Sequence, residues 1–167
     1  MIKPLAETID FLNSIANIDS ETVLQSNTNI DYFAHDFVFN NLLCEFRVAK
    51  ITPKKFGGFV ALWKKSSLNK NLPYDSNDFN LNIIYIEEFE NSGVFVFPSD
   101  IMRKHGLISS NSVGGKLGFR VHPDWVSLES KIALKAQLWQ SKYFINFNND
   151  LAVSIAKLKS IVNQEIN

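Results

Sequence analysis

Apolar positions along this chain keep two different periods, and the change from one to the other separates helices from strands. Leu5, Ile9, Leu12 and Ala16 recur on one helical face with Ile15 beside them, and Pro4 suits a first turn, which predicts a helix over about 4–16. Ser20–Leu24 adds a short helical turn before the loop residues Asn27-Thr28-Asn29. Strand-like alternation follows. Tyr32–Asn40 reads as one strand, Asn40-Asn41 as a turn, and Leu42–Thr52 as the next strand. In that second strand Cys44, Phe46 and Val48 share a face, and Glu45 and Arg47 take the other. Beyond Val48 the phase inverts, with Lys50 on the apolar face and Ala49 and Ile51 on the polar one, as at a bulge or where a strand leaves the core. Thr52-Pro53-Lys54-Lys55 makes a turn, and Phe59–Trp63, apolar on both faces, predicts a central, doubly covered strand.

Ser66–Asn82, rich in Asn, Asp and Ser, is expected to be the longest irregular segment, and such loops often carry function. Ile83–Ile86 and Val94–Phe97 form two strands around Asn91-Ser92-Gly93; Ser99 caps a short helix ending at Gly106. Gly114-Gly115 precedes a strand at Lys116–Val121. After Pro123 a helix is expected over about 127–147, with Ile132, Ala136, Trp139 and Tyr143 on one face and Lys131, Lys135 and Lys142 roughly 100° away. A last helix, about 150–164, carries Leu151, Ile155, Leu158 and Val162. This order predicts an α+β (three-layer) fold with a mixed central sheet flanked by helices, in a single domain of 167 residues.

Composition adds limits. Hydrophobic content of 46% against 20% charged residues excludes a disordered chain. No secretory signal is visible and no apolar run approaches the roughly 18 residues of a membrane span, so a cytoplasmic location without membrane association is expected. Cys44 is the one cysteine, which excludes an intramolecular disulfide; its apolar strand setting predicts a buried, inert thiol. The net charge of zero conceals segregation: residues 1–45 carry −6, 46–74 carry +7, 75–99 carry −5 and 100–167 carry +4. Between Phe46 and Tyr74 there is no acid, yet Arg47, Lys50, Lys54, Lys55, Lys64, Lys65 and Lys70 all fall there. Two readings stand: a solvated edge hairpin whose lysines prevent strand-to-strand association, or an anion-binding ribbon for which nucleic acid is the obvious polyanion. Aromatics interleave with these cations at Phe46/Arg47, Phe56 near Lys54 and Lys55, Trp63/Lys64 and Phe119/Arg120. Exposed rings in such company can stack on unpaired bases, although most rings in an aromatic-rich chain belong to the core.

Catalytic signatures are sparse. There is no Gly-x-Gly-x-x-Gly, phosphate-binding Walker loop, Gly-x-Ser-x-Gly elbow or paired-cysteine zinc spacing, and His35, His105 and His122 share no metal-ligand spacing. No metal site is expected on these grounds. Metal-dependent nucleases set two acids on adjacent strands beside a lysine, often as an Asp followed by Asp/Glu-x-Lys. Glu45 can stand for the first acid, but the next strand reads Leu62-Trp63-Lys64, with leucine at the carboxylate position. Glu87, Glu88 or Asp75 are the remaining sources of a second acid, and pairing of Glu45 with Arg47 or Lys64 accounts for it without catalysis.

Six stretches together resemble the MepB-like family: Phe46–Lys55, Gly58–Lys64, Pro73-Tyr74-Asp75, Gly93–Pro98, Gly115–Val121 and Ala136–Phe144, within a region from Tyr32 to Phe147. The resemblance implies a fold similar to the restriction-endonuclease-like PD-(D/E)xK core with the catalytic acids not retained, in agreement with Leu62, and it favours nucleic-acid binding. Arg47, Lys50, Lys64 and Arg120 lie in the shared motifs. The expectation is a non-catalytic binder of single-stranded DNA or RNA, without a cofactor, in which Arg47, Lys50, Lys54, Lys55 and Lys64 meet phosphates and Arg120, Lys131 and Lys135 flank them. Two alternatives remain: a Mg²⁺-dependent nuclease using Glu45 and Lys64 with an acid from 75–90, and a module binding a small molecule or a protein at a basic site.

Overall fold

The computed structural model describes residues 1–166, with side chains through residue 164. Its elements are α1 (Lys3–Leu12), β1 (Leu24–Gln25), β2 (His35–Phe39), β3 (Leu42–Val48), β4 (Lys50–Thr52), β5 (Lys55–Ala61), β6 (Trp63–Lys65), β7 (Asn71–Pro73), β8 (Leu81–Glu88), β9 (Asn91–Pro98), α2 (Ser99–Lys104), β10 (Gly118–Val121), α3 (Lys131–Gln140), β11 (Phe144–Asn146) and α4 (Leu151–Ile166). Single 3₁₀ turns occur at Ser20–Thr22, Ile30–Tyr32 and Ser141–Tyr143.

The central sheet has six strands in the order β1-β2-β3-β8-β9-β11. Its pairs are antiparallel except β3 with β8, which run parallel from Cys44↔Leu81 to Val48↔Tyr85. A parallel pair cannot be closed by a hairpin; it needs a crossover of a dozen or more residues. Residues 49–80 supply it, and the rest of the architecture is built from this detour. It forms β4 and β5, which β10 completes as a separate three-stranded sheet in the order β10-β5-β4, and then the β6–β7 hairpin. The inverted phase after Val48 has its cause here: the chain leaves one sheet at Ala49 and enters the other.

Strands β8 and β9 are buried from Leu81 to Ile86 and from Gly93 to Pro98, so the central sheet is covered on both faces. On one face Leu5, Phe11 and Leu12 of α1 and Leu158, Ile161 and Val162 of α4 pack on Phe37, Phe39, Cys44, Phe46, Ile83, Tyr85, Val94 and Val96. On the other, Val60, Leu62, Met102, Leu107, Ile108, Phe119 and Val121 cover Ile84, Ile86, Phe95 and Phe97. The α+β fold with a mixed central sheet and flanking helices is therefore present, with much of the layer opposite α1 and α4 made by the second sheet. Cys44 is buried, and burial pushes its thiol far up. Among the described residues no helix is long and apolar enough to cross a membrane.

Several expected elements differ. Ser99, expected as the cap of the short helix, is the first residue of α2, which starts without a side-chain cap, and the strand expected from Tyr32 begins at His35. The helix expected over 4–16 is helical only through Leu12. The helix expected over 127–147 shrinks to α3: Ser130 is its N-cap, with Oγ accepting from the Ala133 N–H, and Phe144–Asn146 are drawn to the sheet edge as β11, paired with β9. Pairing a buried sheet edge outweighs the helical periodicity of that stretch. The Ser66–Asn82 segment is not a long loop, because Asn71–Pro73 folds back on Trp63–Lys65 as β7. The strand expected at Phe59–Trp63 is central in its sheet as β5, but it ends at Ala61, and Phe59 and Ala61 are only half-buried.

Asn40 and Asn41 join β2 to β3 with φ of 50° and 62°, the positive pair that a two-residue hairpin requires. A β-branched residue does not hold that conformation easily. Asn41→Val is expected to cost about 1–2 kcal/mol and Asn41→Gly almost nothing, read as a urea midpoint shift at unchanged slope.

Candidate functional site

Strand alternation turns Arg47 inward, to the face opposite Phe46, where Asn29 and Tyr74 close over it. Its exposure is 0%, so Arg47 does not reach a phosphate. Instead Nε donates to Asn29 Oδ1 (3.3 Å), Nη1 to Glu45 Oε2 (3.1 Å) and the Phe46 carbonyl (2.8 Å), and Nη2 to the Tyr74 hydroxyl (3.3 Å). Glu45 is itself only 9% exposed. Burial pushes its carboxyl above the usual carboxylate range, Arg47 pulls against that, and Asp36 and Asp78 add to the rise.

Lys64 also has a local partner. On β6 its ammonium pairs with Asp78, whose carboxylate accepts the Asp75 N–H as well. Leu62, at the position where Asp/Glu-x-Lys needs a carboxylate, is 1% exposed and packed in the core with Val60. The other candidate acids are engaged: Glu87 with Lys3 and the Tyr85 hydroxyl, Glu88 with the Trp125 indole N–H, and Asp75 with Ser109 Oγ and the Ser112 N–H. Among the described residues no group of three or more His, Cys, Asp and Glu is placed to hold a metal ion.

The remaining nominated cations divide by position. Lys54 and Lys55 at the β4–β5 turn, Arg120 on β10 and Lys135 on α3 line one cleft of about 870 Å³ between the three-stranded sheet and α3. Lys131 is exposed at the start of α3 but outside that lining, and Lys50 lies on the open face of the small sheet with its ammonium 4.6 Å from the Tyr32 ring centre. The cleft also takes in Lys116, His105 and His122, with Glu129 as its one acid among the described residues. Its apolar walls include Phe56, Phe59, Ile132 and Trp139.

Specific contacts hold this geometry. Arg120 Nη2 donates to Thr52 Oγ1 (2.9 Å) and to the carbonyls of Lys55, Phe56 and Gly57, which ties the lysine-bearing turn to β10. Gly57, at φ +78°, passes so close to β10 that a Cβ would lie 2.4 Å from the Val121 carbonyl oxygen. On the facing wall, Gln140 accepts the His122 N–H (2.8 Å) and donates to the Arg120 carbonyl (3.0 Å), while Gln137 donates to the Pro123 and Val126 carbonyls. Glutamines thus dock much of α3, and the apolar side chain of Ile132 stays 84% exposed. His105 stacks flat on Trp139 (centroids 4.0 Å, planes 6° apart); burial, then Lys104 and Lys135, hold its imidazole below the ordinary value.

Sequence reasoning did not single out Lys116, His105 or Trp139 for this site. They come from three separate stretches, and the one signal near them was that Lys116 and Trp139 fall within the stretches Gly115–Val121 and Ala136–Phe144 that carry the family resemblance. At the buried pair, Arg47→Ala leaves the Glu45 charge without its partner and is expected to cost about 3–5 kcal/mol. Glu45→Gln combined with Arg47→Met is expected to cost much less, with both compared by denaturant midpoints.

The MepB-like family model matches residues 26–146. The crystal structure of MepB aligns at a TM-score of 0.78 with 32% sequence identity, covering 90% of this chain and 100% of that one. A bacterial homing endonuclease, I-Ssp6803I, aligns at 0.44 with 18% identity, covering 81% of this chain and 84% of its own. Comparison with curated proteins finds no match. By the family match over most of its length and its likeness to MepB, the chain belongs to the MepB-like family.

Proposed function

We propose that this protein is a non-catalytic nucleic-acid binder that holds single-stranded DNA or RNA in the cleft between the small sheet and α3. The observation that carries the reading is the composition of that cleft: Lys54, Lys55, Lys116, Arg120 and Lys135 surround aromatic and aliphatic walls, with Glu129 as the one acid among the described residues. Cations of this kind meet phosphates, and exposed rings such as Phe56 offer faces to bases. A single strand suits the site better than a duplex, because bases must be unpaired to reach those rings. The nuclease alternative has less support, since Glu45 and Lys64 are committed to separate ion pairs and Leu62 is core. The single buried thiol fits the reducing cytoplasm in which such a protein would work.

A second reading has its own support. The cleft is apolar along much of its lining and its volume falls in the range of small-ligand sites, so a small anionic aromatic compound is the competing occupant.

Anisotropy titrations of labelled single-stranded DNA, duplex DNA and RNA at two salt concentrations, with EDTA and with Mg²⁺, test these readings. Expected are salt-sensitive binding, preference for single strands and ligands intact afterwards. Replacing Lys54 and Lys55 together by Ala is expected to weaken binding evenly across sequences and to lower the log–log salt slope by about 0.7 for each phosphate that is no longer neutralised. Unchanged affinity and slope removes the cleft from consideration. Mg²⁺-dependent shortening abolished by Glu45→Ala establishes the nuclease, and no binding of any nucleic acid leaves the small-ligand reading.

Proton linkage gives another test. Bound phosphates favour the imidazolium of His105, so binding takes up a proton. Affinity is expected to rise as the pH falls from about 7.5 to about 5.5, and His105→Gln is expected to flatten that rise.

A further inference from the structure

We propose that the cleft continues over the open face of the small sheet to a second stacking position made by Tyr32 and Phe59. Lys50 is its phosphate contact, and the ligand is accordingly a run of several unpaired nucleotides. This inference rests on the nucleic-acid reading above and adds to it the length and path of the strand.

The register of the small sheet supplies the first support. Phe59 on β5 is paired with Arg120 on one side and Lys50 on the other, so the three stand in a row across the sheet on the same face. Gly58 and Val60 face the opposite way, toward the core: Val60 is fully buried, and a Cβ on Gly58 would lie 2.9 Å from the Ala49 side chain. The row therefore faces outward, as cation, ring, cation. Two strand spacings separate the backbones of Arg120 and Lys50, about 10 Å. One ring lies between the exposed Lys50 ammonium, which can meet a phosphate, and the Arg120 guanidinium, whose Nη2 is held by the turn.

The aromatic contacts supply the second. Phe59 is a wall of the cleft and also the edge-to-face partner of Tyr32, with centroids 6.2 Å apart. One ring thus belongs to both places, and the path between them is continuous. Gly118, next to this row on β10, makes room for the Phe59 ring: a Cβ there would lie 2.6 Å from Phe59 Cζ. Lys50 sits exposed with its ammonium over the Tyr32 ring. That ammonium occupies the face a base would take. On its flexible stem it can move off to an arriving phosphate while the base replaces it on the ring.

Oligothymidylates of two and of about eight nucleotides test this directly. The octamer is expected to bind at least about tenfold tighter than the dinucleotide. Tyr32→Ala is expected to weaken the octamer about tenfold, and Lys50→Ala to lower its salt slope by about 0.7, neither changing the dinucleotide. Tyr32→Phe keeps the ring and is expected to bind as the parent does. Equal affinity for the two lengths, or an octamer indifferent to both Tyr32→Ala and Lys50→Ala, overturns the second position while the cleft reading stands. No binding at either length overturns both. Because Lys50 is exposed, Lys50→Ala keeps the test decisive if Tyr32→Ala does not fold.

Discussion

A guanidinium removed from water has to find its hydrogen-bond acceptors inside the protein, and Arg47 sets that requirement at the centre of this fold. Its four acceptors come from three places: Glu45 and the Phe46 carbonyl on its own strand, Asn29 in the segment before β2, and Tyr74 after β7. Asn29 in turn accepts the Trp63 N–H, so the network reaches the start of the second hairpin. An ion pair of this kind adds little net stability over apolar residues of the same volume, yet breaking one half of it is costly. Its role is better described as fixing where three chain segments meet. It also takes one cation and one acid out of any surface chemistry.

What remains on the surface is shaped by the parallel pairing of β3 with β8. The crossover this pairing demands carries the lysine-rich turn away from the central sheet and lays it on a second one. Arg120 fastens the turn from β10, and Gln140 fastens α3 to the same strand, so both walls of the cleft are referred to one short strand. Polar docking of α3 explains why a helix with several large apolar residues leaves Ile132 and Leu138 outside the core. A site held by backbone carbonyls and buried amides keeps its walls in place before a ligand arrives, which reduces the ordering cost of binding.

The strand pattern was largely legible in the sequence, because alternation is local. Cys44 and Phe46 against Glu45 and Arg47 separated the two faces of β3 correctly, and the Asn40-Asn41 turn is where the sequence puts it. The phase change after Val48 was visible too, although its cause, a change of sheet, is tertiary. Helix length was less legible: nothing local distinguishes Phe144–Asn146 from one more helical turn, and only the open edge of β9 does. The cationic window was real but not uniform. Charge counts cannot tell that Arg47 turns inward, that Lys64 meets Asp78, or that Lys54, Lys55 and Arg120 on the small sheet line one cleft with Lys135 on α3. Leu62 shows the same point from the other side, since the residue that breaks the nuclease pattern is also one the core requires.

The claim on which the account depends is that ligand meets the small sheet and α3 and leaves the Arg47 and Lys64 region untouched. Amide hydrogen exchange with and without a saturating single-stranded oligonucleotide reads this along the whole chain. The account predicts slowed exchange in residues 50–61, 116–122 and 130–140, with residues 63–80 unchanged. Slowed exchange concentrated at residues 63–80, with the sheet and helix unaffected, would contradict it.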